Sequence, residues 1–387
     1  MSRSGDAVRV IFAGGGTGGH LYPGLAMRDA LRETVERLDV LFVGARGGME
    51  ESILAGTETP LELLPGRGLR GASIGARLVA PFELAAAVVR SLAIIRSFDP
   101  DVVVGTGGYA SAAVVVAAII ARVPRILQEQ NSVAGLVNRR LARFADVVLL
   151  SFEISRRSVA GARHVVVTGN PLRRLPRLER EEAASRLGID PALRTVLVIG
   201  GSRGAHSLNV AGSEAARVLL DNHNVQTILL TGRNDFDGMS SAWRGENRVK
   251  VMAYLDEVNA AYGAADVAVA RAGASSVFEL AAFGLPTVFV PYPWAADAHQ
   301  LKNVETLEAR GGCLVIDDDQ LDGPGLAATL FSLLDDESGR ADMRRVLEDW
   351  ARPDAARHAA EEILSLIKKK TESRRARTLT RHLEGTC

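Results

Sequence analysis

Val8-Arg-Val-Ile-Phe-Ala-Gly-Gly-Gly-Thr-Gly-Gly-His20 is the stretch whose reading decides the fold. A short apolar run breaks on glycines and gives way to helical spacing over Leu25–Leu38, which reads as strand, turn and helix. The pattern then repeats. Asp39–Val43, Asp101–Val104, Arg125–Leu127, Asp146–Leu150 and His164–Val167 are further short runs rich in branched residues, separated by helical segments. Strands of this kind lie parallel and are buried on both faces. Near Asn170-Pro171 the rhythm breaks into Arg-, Pro- and Glu-rich sequence over Leu172–Arg180. A second series opens on Thr195–Ile199 and Gly200-Gly-Ser-Arg-Gly204, and continues through Gln226–Leu230, Val249–Val251, Asp266–Ala270 and Thr287–Val290. Two similar α/β domains joined near residue 172 are expected.

The composition agrees. A chain of 387 residues exceeds what one hydrophobic core usually supports. Its 46 Lys and Arg balance 46 Asp and Glu, which argues against a nucleic-acid partner held by phosphate neutralisation. Two cysteines, Cys313 and Cys387, make neither a disulfide framework nor a cysteine-rich zinc site, and fit a reducing compartment. No secretory signal is visible at the N-terminus. The longest charge-free apolar run, Tyr109–Ala121, is too short at about 1.5 Å per residue to cross a bilayer core of about 30 Å. After an amphipathic helix ending near Ile367, residues 368–387 hold seven Lys and Arg against two Glu, so the body before them is acidic. That composition reads as a basic disordered tail, either simply solvated or in contact with anionic lipid headgroups.

The glycines suggest anions. Gly14, Gly16 and Gly19 match the G-x-G-x-x-G pattern, in which the backbone approaches a ligand closely at a helix start. The second strand, however, ends Val43-Gly-Ala-Arg46 without the acid that would bind a ribose diol, which argues against NAD; Arg46 leaves NADP as a minor alternative. His20 follows the glycines directly, where a helix N-terminus disfavours imidazolium and suits a proton acceptor; a capping or packing histidine is the alternative. Gly105-Thr-Gly-Gly-Tyr-Ala-Ser111 is a second loop of the same kind, and Gln128-Glu-Gln-Asn-Ser132 groups polar residues after a strand, as a site or as a plain turn. In the second half, Ser276-x-x-Glu279 reads either as a helix capping box or, through Glu279, as a holder of a ribose diol. Asp297-Ala-His-Gln-Leu-Lys-Asn303 places amide and imidazole groups at a helix start. Asp235-Phe-Asp237 matches a metal-binding D-x-D only formally, since the sequence before it is turn-like, and no metal site is assigned there.

Six blocks taken together resemble the signature of the MurG family of N-acetylglucosaminyltransferases, in glycosyltransferase family 28. They are Gly15–Ala26, Gly107–Ser111, Glu129–Asn138, Thr168–Arg173, Gly200–Ala205 and Arg271–Glu279, in family order over roughly residues 8–365. The resemblance implies a GT-B fold of class α/β, with two Rossmann-like doubly wound domains and an interdomain cleft. It implies an acceptor- and membrane-facing domain over 1–172, a UDP-GlcNAc domain over 173–350, a C-terminal helix over 351–367 packing back on the first domain, and the tail 368–387. It also implies inverting transfer of GlcNAc from UDP-GlcNAc to the C4 hydroxyl of MurNAc in undecaprenyl-diphosphoryl-MurNAc-pentapeptide (lipid I), forming lipid II, with no cofactor or metal. Another GT-B glycosyltransferase, a UDP-sugar epimerase and a non-catalytic nucleotide-sugar module are the alternatives.

Carried over motif by motif, the resemblance makes Glu279 the ribose ligand. Ser202, the Leu255 backbone, Ala274, Ser275, Ser276, Val277 and Phe278 would hold uracil and diphosphate, and Gln300 and Asn303 would meet the GlcNAc hydroxyls. Thr17, Gly18, Gly19, Asn131 and Arg173 would line the cleft, with Tyr109 a further substrate contact. His299, a further substrate-binding candidate and a rival titratable group, stands where the family often has a second glutamine. Gln128 stands where it commonly has histidine, which argues against a catalytic role for residue 128. Inversion needs a base for the acceptor hydroxyl, and the candidates are His20 and, second, Glu129. Because a polyprenyl acceptor stays in the bilayer, the enzyme is expected at the cytoplasmic face of the cell membrane as a peripheral protein, near anionic lipid and cell-wall synthesis proteins. Arg70, Ile74, Arg77, Leu78, Val79 and Phe82 offer the apolar, cationic face this requires, or else an ordinary amphipathic helix over the sheet.

Overall fold

The computed structural model describes residues 7–16, 18–55, 57–66, 74–201, 204–221 and 224–384. The chain forms two compact units, Met1–Arg173 with Asp354–Cys387, and Arg174–Pro353.

In the first unit, seven strands among the described residues make one parallel sheet: β1 (Val8–Gly14), β2 (Leu38–Ala45), β3 (Leu61–Leu64), β4 (Val102–Gly107), β5 (Arg125–Glu129), β6 (Val147–Leu150) and β7 (Val165–Val167). Their order is β3-β2-β1-β4-β5-β6-β7. Helices α1 (Gly18–Thr34), α2 (Met49–Leu54), α3 (Ile74–Phe98), α4 (Gly108–Ala121) and α5 (Leu136–Leu141) connect them. β1 shows why such strands are apolar at their centres, here over Val10–Ala13. Ile11 and Ala13 enter a core with Ala87, Ile94 and Ile95 of α3 and Ala113, Val114 and Ala117 of α4. Val10 and Phe12, one residue out of phase, enter the core on the opposite face with Leu21, Leu25, Met27 and Leu31 of α1. With side chains alternating between two buried faces, both phases of this stretch are apolar.

The second unit repeats the plan. β8 (Arg194–Ile199), β9 (Val225–Leu230), β10 (Val249–Met252), β11 (Val267–Ala270), β12 (Thr287–Phe289) and β13 (Leu314–Val315) form a parallel sheet in the order β10-β9-β8-β11-β12-β13. Helices α6 (Arg180–Leu187), α7 (His206–Leu219), α8 (Phe236–Ala242), α9 (Val258–Ala264), α10 (Ala274–Ala282), α11 (His299–Ala309), α12 (Gly323–Asp335) and α13 (Glu337–Trp350) accompany it. Strands β3 and β13 escape a reading of the sequence because they are short edge strands without a β-branched run. Cys313 is buried in this core; burial, with Glu308 nearby, pushes its thiol up to about 12, so it acts as a small apolar side chain and not as a nucleophile.

The last helix, α14 (Ala355–Glu384), belongs to the first unit. Ala359, Ala360, Ile363 and Leu366 bury one helical face in the same core as α1. The tail departs from expectation here: 368–384 is helical rather than disordered. Lys, Arg, Glu, Ala and Leu are good helix formers, no Gly or Pro interrupts them before Gly385, and the buried turns upstream supply the nucleus. Lys370 Nζ also reaches Asp146 at 2.8 Å. Among the described residues no helix is long and apolar enough to cross a membrane. Ile363 is fully buried, so Ile363→Ala should destabilise the first unit by about 2–5 kcal/mol, read as a lower urea midpoint. Lys369→Ala, on the exposed side of α14, should stay within about 0.5 kcal/mol.

Candidate functional site

Open parallel sheets present ligands at the carboxyl ends of their strands, where the strand order reverses. In the first sheet that point lies between β1 and β4, and in the second between β8 and β11. The glycine-rich sequences sit at these two points. At the first, Gly14 pairs with Gly107, with a shift in register just before it. Side chains would keep the strand ends apart there: a Cβ on Gly14 would run into the Thr106 hydroxyl.

His20, half-buried in the first turn of α1, leans on this junction. Its Nδ1 lies 3.0 Å from the Gly15 carbonyl, which can only accept, so Nδ1 carries the proton and Nε2 is left as the acceptor of the neutral ring. Gly107, with φ of +110°, brings its backbone against the imidazole, and a Cβ there would stand 3.1 Å from Nε2. Gly18 is buried and Gly19 exposed at the start of the same helix, while Thr17 lies outside the described residues.

Glu129 has a different part from the one expected of a base. It is 2% exposed, and its two oxygens accept from the Asn131 N–H (2.9 Å), Asn131 Nδ2 (3.3 Å), the Gly135 N–H (2.9 Å) and Asn138 Nδ2 (2.9 Å). A carboxylate holding four donors fastens its loop, its oxygens already engaged by neighbours. Asn131 is thereby fixed from both sides, since its carbonyl accepts from Ser155 Oγ at 2.7 Å. Gln128, fully buried, meets Ser151 Oγ at 3.3 Å and also Gln130, whose Nε2 donates to the Thr106 carbonyl at 2.7 Å. The Gln128–Ser132 segment is thus an ordered support for the site. Tyr109 donates its hydroxyl to the Pro65 carbonyl at 3.0 Å; burial and then Glu83 push its phenol above the usual range, keeping it a donor. Arg173 lies over the Tyr22 ring at 4.5 Å, and its Nε is buried without a hydrogen-bond partner.

In the second unit, α10 begins at Ala274 with Gly273 as its N-cap, a residue with no side chain to cap the helix. This overturns the capping-box reading: Ser276 is the third residue inside the helix, too far in to cap it. Ser275, Ser276 and Glu279 share the half-exposed face, whereas Ala274, Val277 and Phe278 face the core, Phe278 against the Trp350 ring at 4.6 Å. Val277 and Phe278 can therefore offer a ligand only backbone. Glu279 is oriented by the Tyr262 hydroxyl, which donates to it at 2.9 Å. Leu255 is half-buried against the core.

Asn303 is also a support. It is 1% exposed, and its Nδ2 donates to the Ala272 carbonyl at 3.0 Å, tying α11 to the loop that opens α10. Gln300 accepts from the Tyr292 N–H at 2.8 Å. His299 opens α11 after Asp297 and Ala298, two residues with φ of +55° and +51°, a conformation that costs about 1–2 kcal/mol each for a residue with a Cβ. Asp235 is occupied by Asn209 Nδ2 (2.7 Å) and His206 Nδ1 (3.0 Å); burial opposes its ionisation, but these partners outweigh it and hold the carboxyl below the usual range. Ser202 lies outside the described residues, as do Arg70 and the side chains of Ile74, Arg77, Leu78 and Val79. Phe82 is 76% exposed.

Two buried groups were not visible in the sequence. Arg271, 7% exposed, bonds Asp318 at 2.6 Å and Ser207 Oγ at 2.7 Å, binding the end of β11 to the start of α7. Asp318 lies in an Asp run that resembles any solvated loop. Glu50, 1% exposed, accepts from the Gly16 N–H at 3.0 Å and the Ala45 N–H at 3.1 Å. Glu50 and Glu51 after Gly47-Gly48-Met49 read only as the acidic first turn of a helix, and carry no signal of this.

The glycosyltransferase family 28 N-terminal domain matches residues 10–150, and the family 28 C-terminal domain matches residues 195–359. A UDP-N-acetylglucosamine–N-acetylmuramyl-(pentapeptide) pyrophosphoryl-undecaprenol N-acetylglucosamine transferase of Chlorobaculum tepidum is 40% identical over 365 residues, 93% of this chain and 100% of that protein. The transferase of the same name from Desulforudis audaxviator is 35% identical over 370 residues, 94% of this chain and 98% of its own length. The crystal structure of Acinetobacter baumannii MurG superposes with a TM-score of 0.72 at 26% identity, covering 92% of this chain and 99% of that one. Two parallel-sheet Rossmann-like units, with glycine-rich turns at both reversal points and relatives of this closeness, place the chain in the MurG branch of glycosyltransferase family 28, to which it belongs.

Proposed function

We propose that this chain transfers N-acetylglucosamine from UDP-N-acetylglucosamine to the C4 hydroxyl of the MurNAc unit of lipid I, with inversion, forming lipid II. The observation that carries the reading is His20. Its Nδ1 is committed to the Gly15 carbonyl, so Nε2 can take a proton at the carboxyl edge of the first sheet, in a chain 40% identical to a transferase of that name.

In one displacement the acceptor oxygen attacks the anomeric carbon, and the bond from that carbon to the diphosphate oxygen breaks. UDP leaves with the bonding pair, and the hydroxyl proton passes to His20 Nε2. Ser202, the Leu255 backbone and the first turn of α10 hold uracil and diphosphate, the helix start favouring the anion. Glu279, oriented by Tyr262, accepts hydrogen bonds from the ribose diol. Gln300 meets the sugar, with Asn303 setting the loop beside it. Thr17, Gly18, Gly19 and Asn131 shape the acceptor side, and Arg173 offers charge to the departing diphosphate.

The acceptor's polyprenyl chain asks for a bilayer, and α3 offers it a face. Phe82, Ala85, Ala86, Val89 and Ala93 are exposed at helical spacing, Phe82 by 76% and Val89 by 67%. A helix face this apolar suits a membrane surface better than water, and the exposed Arg96 on the same helix suits anionic headgroups. The enzyme on this reading works at the cytoplasmic face of the cell membrane as a peripheral protein.

UDP release measured with and without a lipid I analogue tests the reaction: release should require the acceptor, and equal release without it would refute the assignment. His20→Ala should lower turnover about 10²–10⁴-fold with UDP-GlcNAc binding intact. Glu279→Ala should instead weaken UDP-GlcNAc binding about 10–100-fold by calorimetry, the worth of hydrogen bonds to a charged group. Phe82→Asp combined with Val89→Asp should abolish flotation with anionic liposomes, and unaltered flotation would remove α3 from the membrane face.

A further inference from the structure

One peptide group stands between a buried carboxylate and the histidine. The carbonyl of Gly15 accepts from His20 Nδ1 at 3.0 Å, and the N–H of Gly16, in the same peptide unit, donates to Glu50 Oε2 at 3.0 Å. In a trans peptide these two groups point in opposite directions, so Glu50 and His20 grip the same plane from its two edges. The flanking residues are glycines with φ of +156° and +81°, which tolerate either orientation of that plane. A flipped plane would turn an N–H toward His20. Nδ1 would then have to accept, the ring proton would move to Nε2, and the acceptor facing the Gly107 loop would be gone.

An ionised carboxylate only accepts, and therefore admits one orientation alone. Glu50 is itself closely held. Its other oxygen holds the Ala45 N–H at 3.1 Å, and a Cβ on Gly15, Gly44 or Gly48 would collide with it. We propose that Glu50 is a positioning residue for the transfer reaction: through the Gly15–Gly16 peptide it selects the Nδ1–H tautomer of His20 and polarises the carbonyl that steadies the ring as it gains the acceptor's proton. Hydrogen bonds chained in this way strengthen one another. This rests on His20 being the base.

The test is steady-state kinetics of the full-length enzyme with UDP-GlcNAc and a lipid I analogue. Glu50→Met fills the space without an acceptor and should lower kcat about 10–100-fold, the scale seen when the partner of a functional histidine is removed, with KM for UDP-GlcNAc unchanged. Glu50→Gln, whose amide can still accept one of the two N–H groups, should recover part of the loss. In a His20→Ala background Glu50→Met should cost nothing more, because the two act in one chain.

A Glu50→Met enzyme within twofold of wild type, beside a crippled His20→Ala, overturns this proposal and leaves the base assignment standing. Losses that multiply in the double variant overturn it too. A His20→Ala enzyme with normal turnover removes the base and this role together. Should the Glu50 variants fail to fold, nitrogen-15 NMR of histidine-labelled wild-type protein decides, with His20→Ala identifying the signal. Neutral His20 should carry its proton on Nδ1, and a ring protonated on Nε2 overturns the proposal.

Discussion

The meeting of Gly14 and Gly107 at the carboxyl edge of β1 and β4 is the contact on which the first unit's site depends. Two parallel strands buried on both faces can show a ligand only their ends, and those ends must come close for the loops to fold over the edge. Glycine permits that approach. His20 then lies against Gly107, the Gly15 carbonyl lies within reach of its ring, and α1 starts under the same turn. A side chain at Gly14 would enlarge the gap and leave the histidine without its support.

Around that junction the buried charges act as fasteners. Removing a carboxylate or guanidinium from water is costly unless hydrogen bonds replace the lost hydration. Glu50 meets that requirement with the Gly16 and Ala45 amides, Glu129 with four donors from its own loop and from α5, and Arg271 with Asp318 and Ser207. Each charge is thus also a constraint, because a loop that moved would leave it unsatisfied. The functional loops of both units acquire in this way the order that helices and strands have through their ladders.

The fold was largely legible because burial on both faces demands uninterrupted apolar strands, and that demand leaves a mark in the sequence. β1, β4, β8 and β11 stand out for this reason; among the short edge strands β7 and β10 still show β-branched runs, whereas β3 and β13 do not stand out. The end of α14 is both strongly basic and helical, because a basic composition is compatible with a helix when buried turns nucleate it. At the site, residue types were legible and their roles less so. Glu129 at the end of β5 and Glu279 in the helix after β11 are both carboxylates near a strand end, yet one is buried under four donors and the other stands half-exposed on a helix face. Val277 and Phe278 belong to the same motif as Ser275 and Ser276 and turn the opposite way.

By itself the sequence determined the alternation of parallel strands and helices, the positions of the glycine turns, and which side chains could carry acid–base chemistry. These are local properties, set by periodicity and by the conformations that glycine and branched residues allow. Tertiary structure alone decided which groups meet. Glu50 and His20 are thirty residues apart and are joined only because β2 returns beside β1 and lays its following loop against the glycine turn. Hydrogen bonding across that distance depends on strand register and on the exclusion of water, and neither is written in the neighbours of either residue.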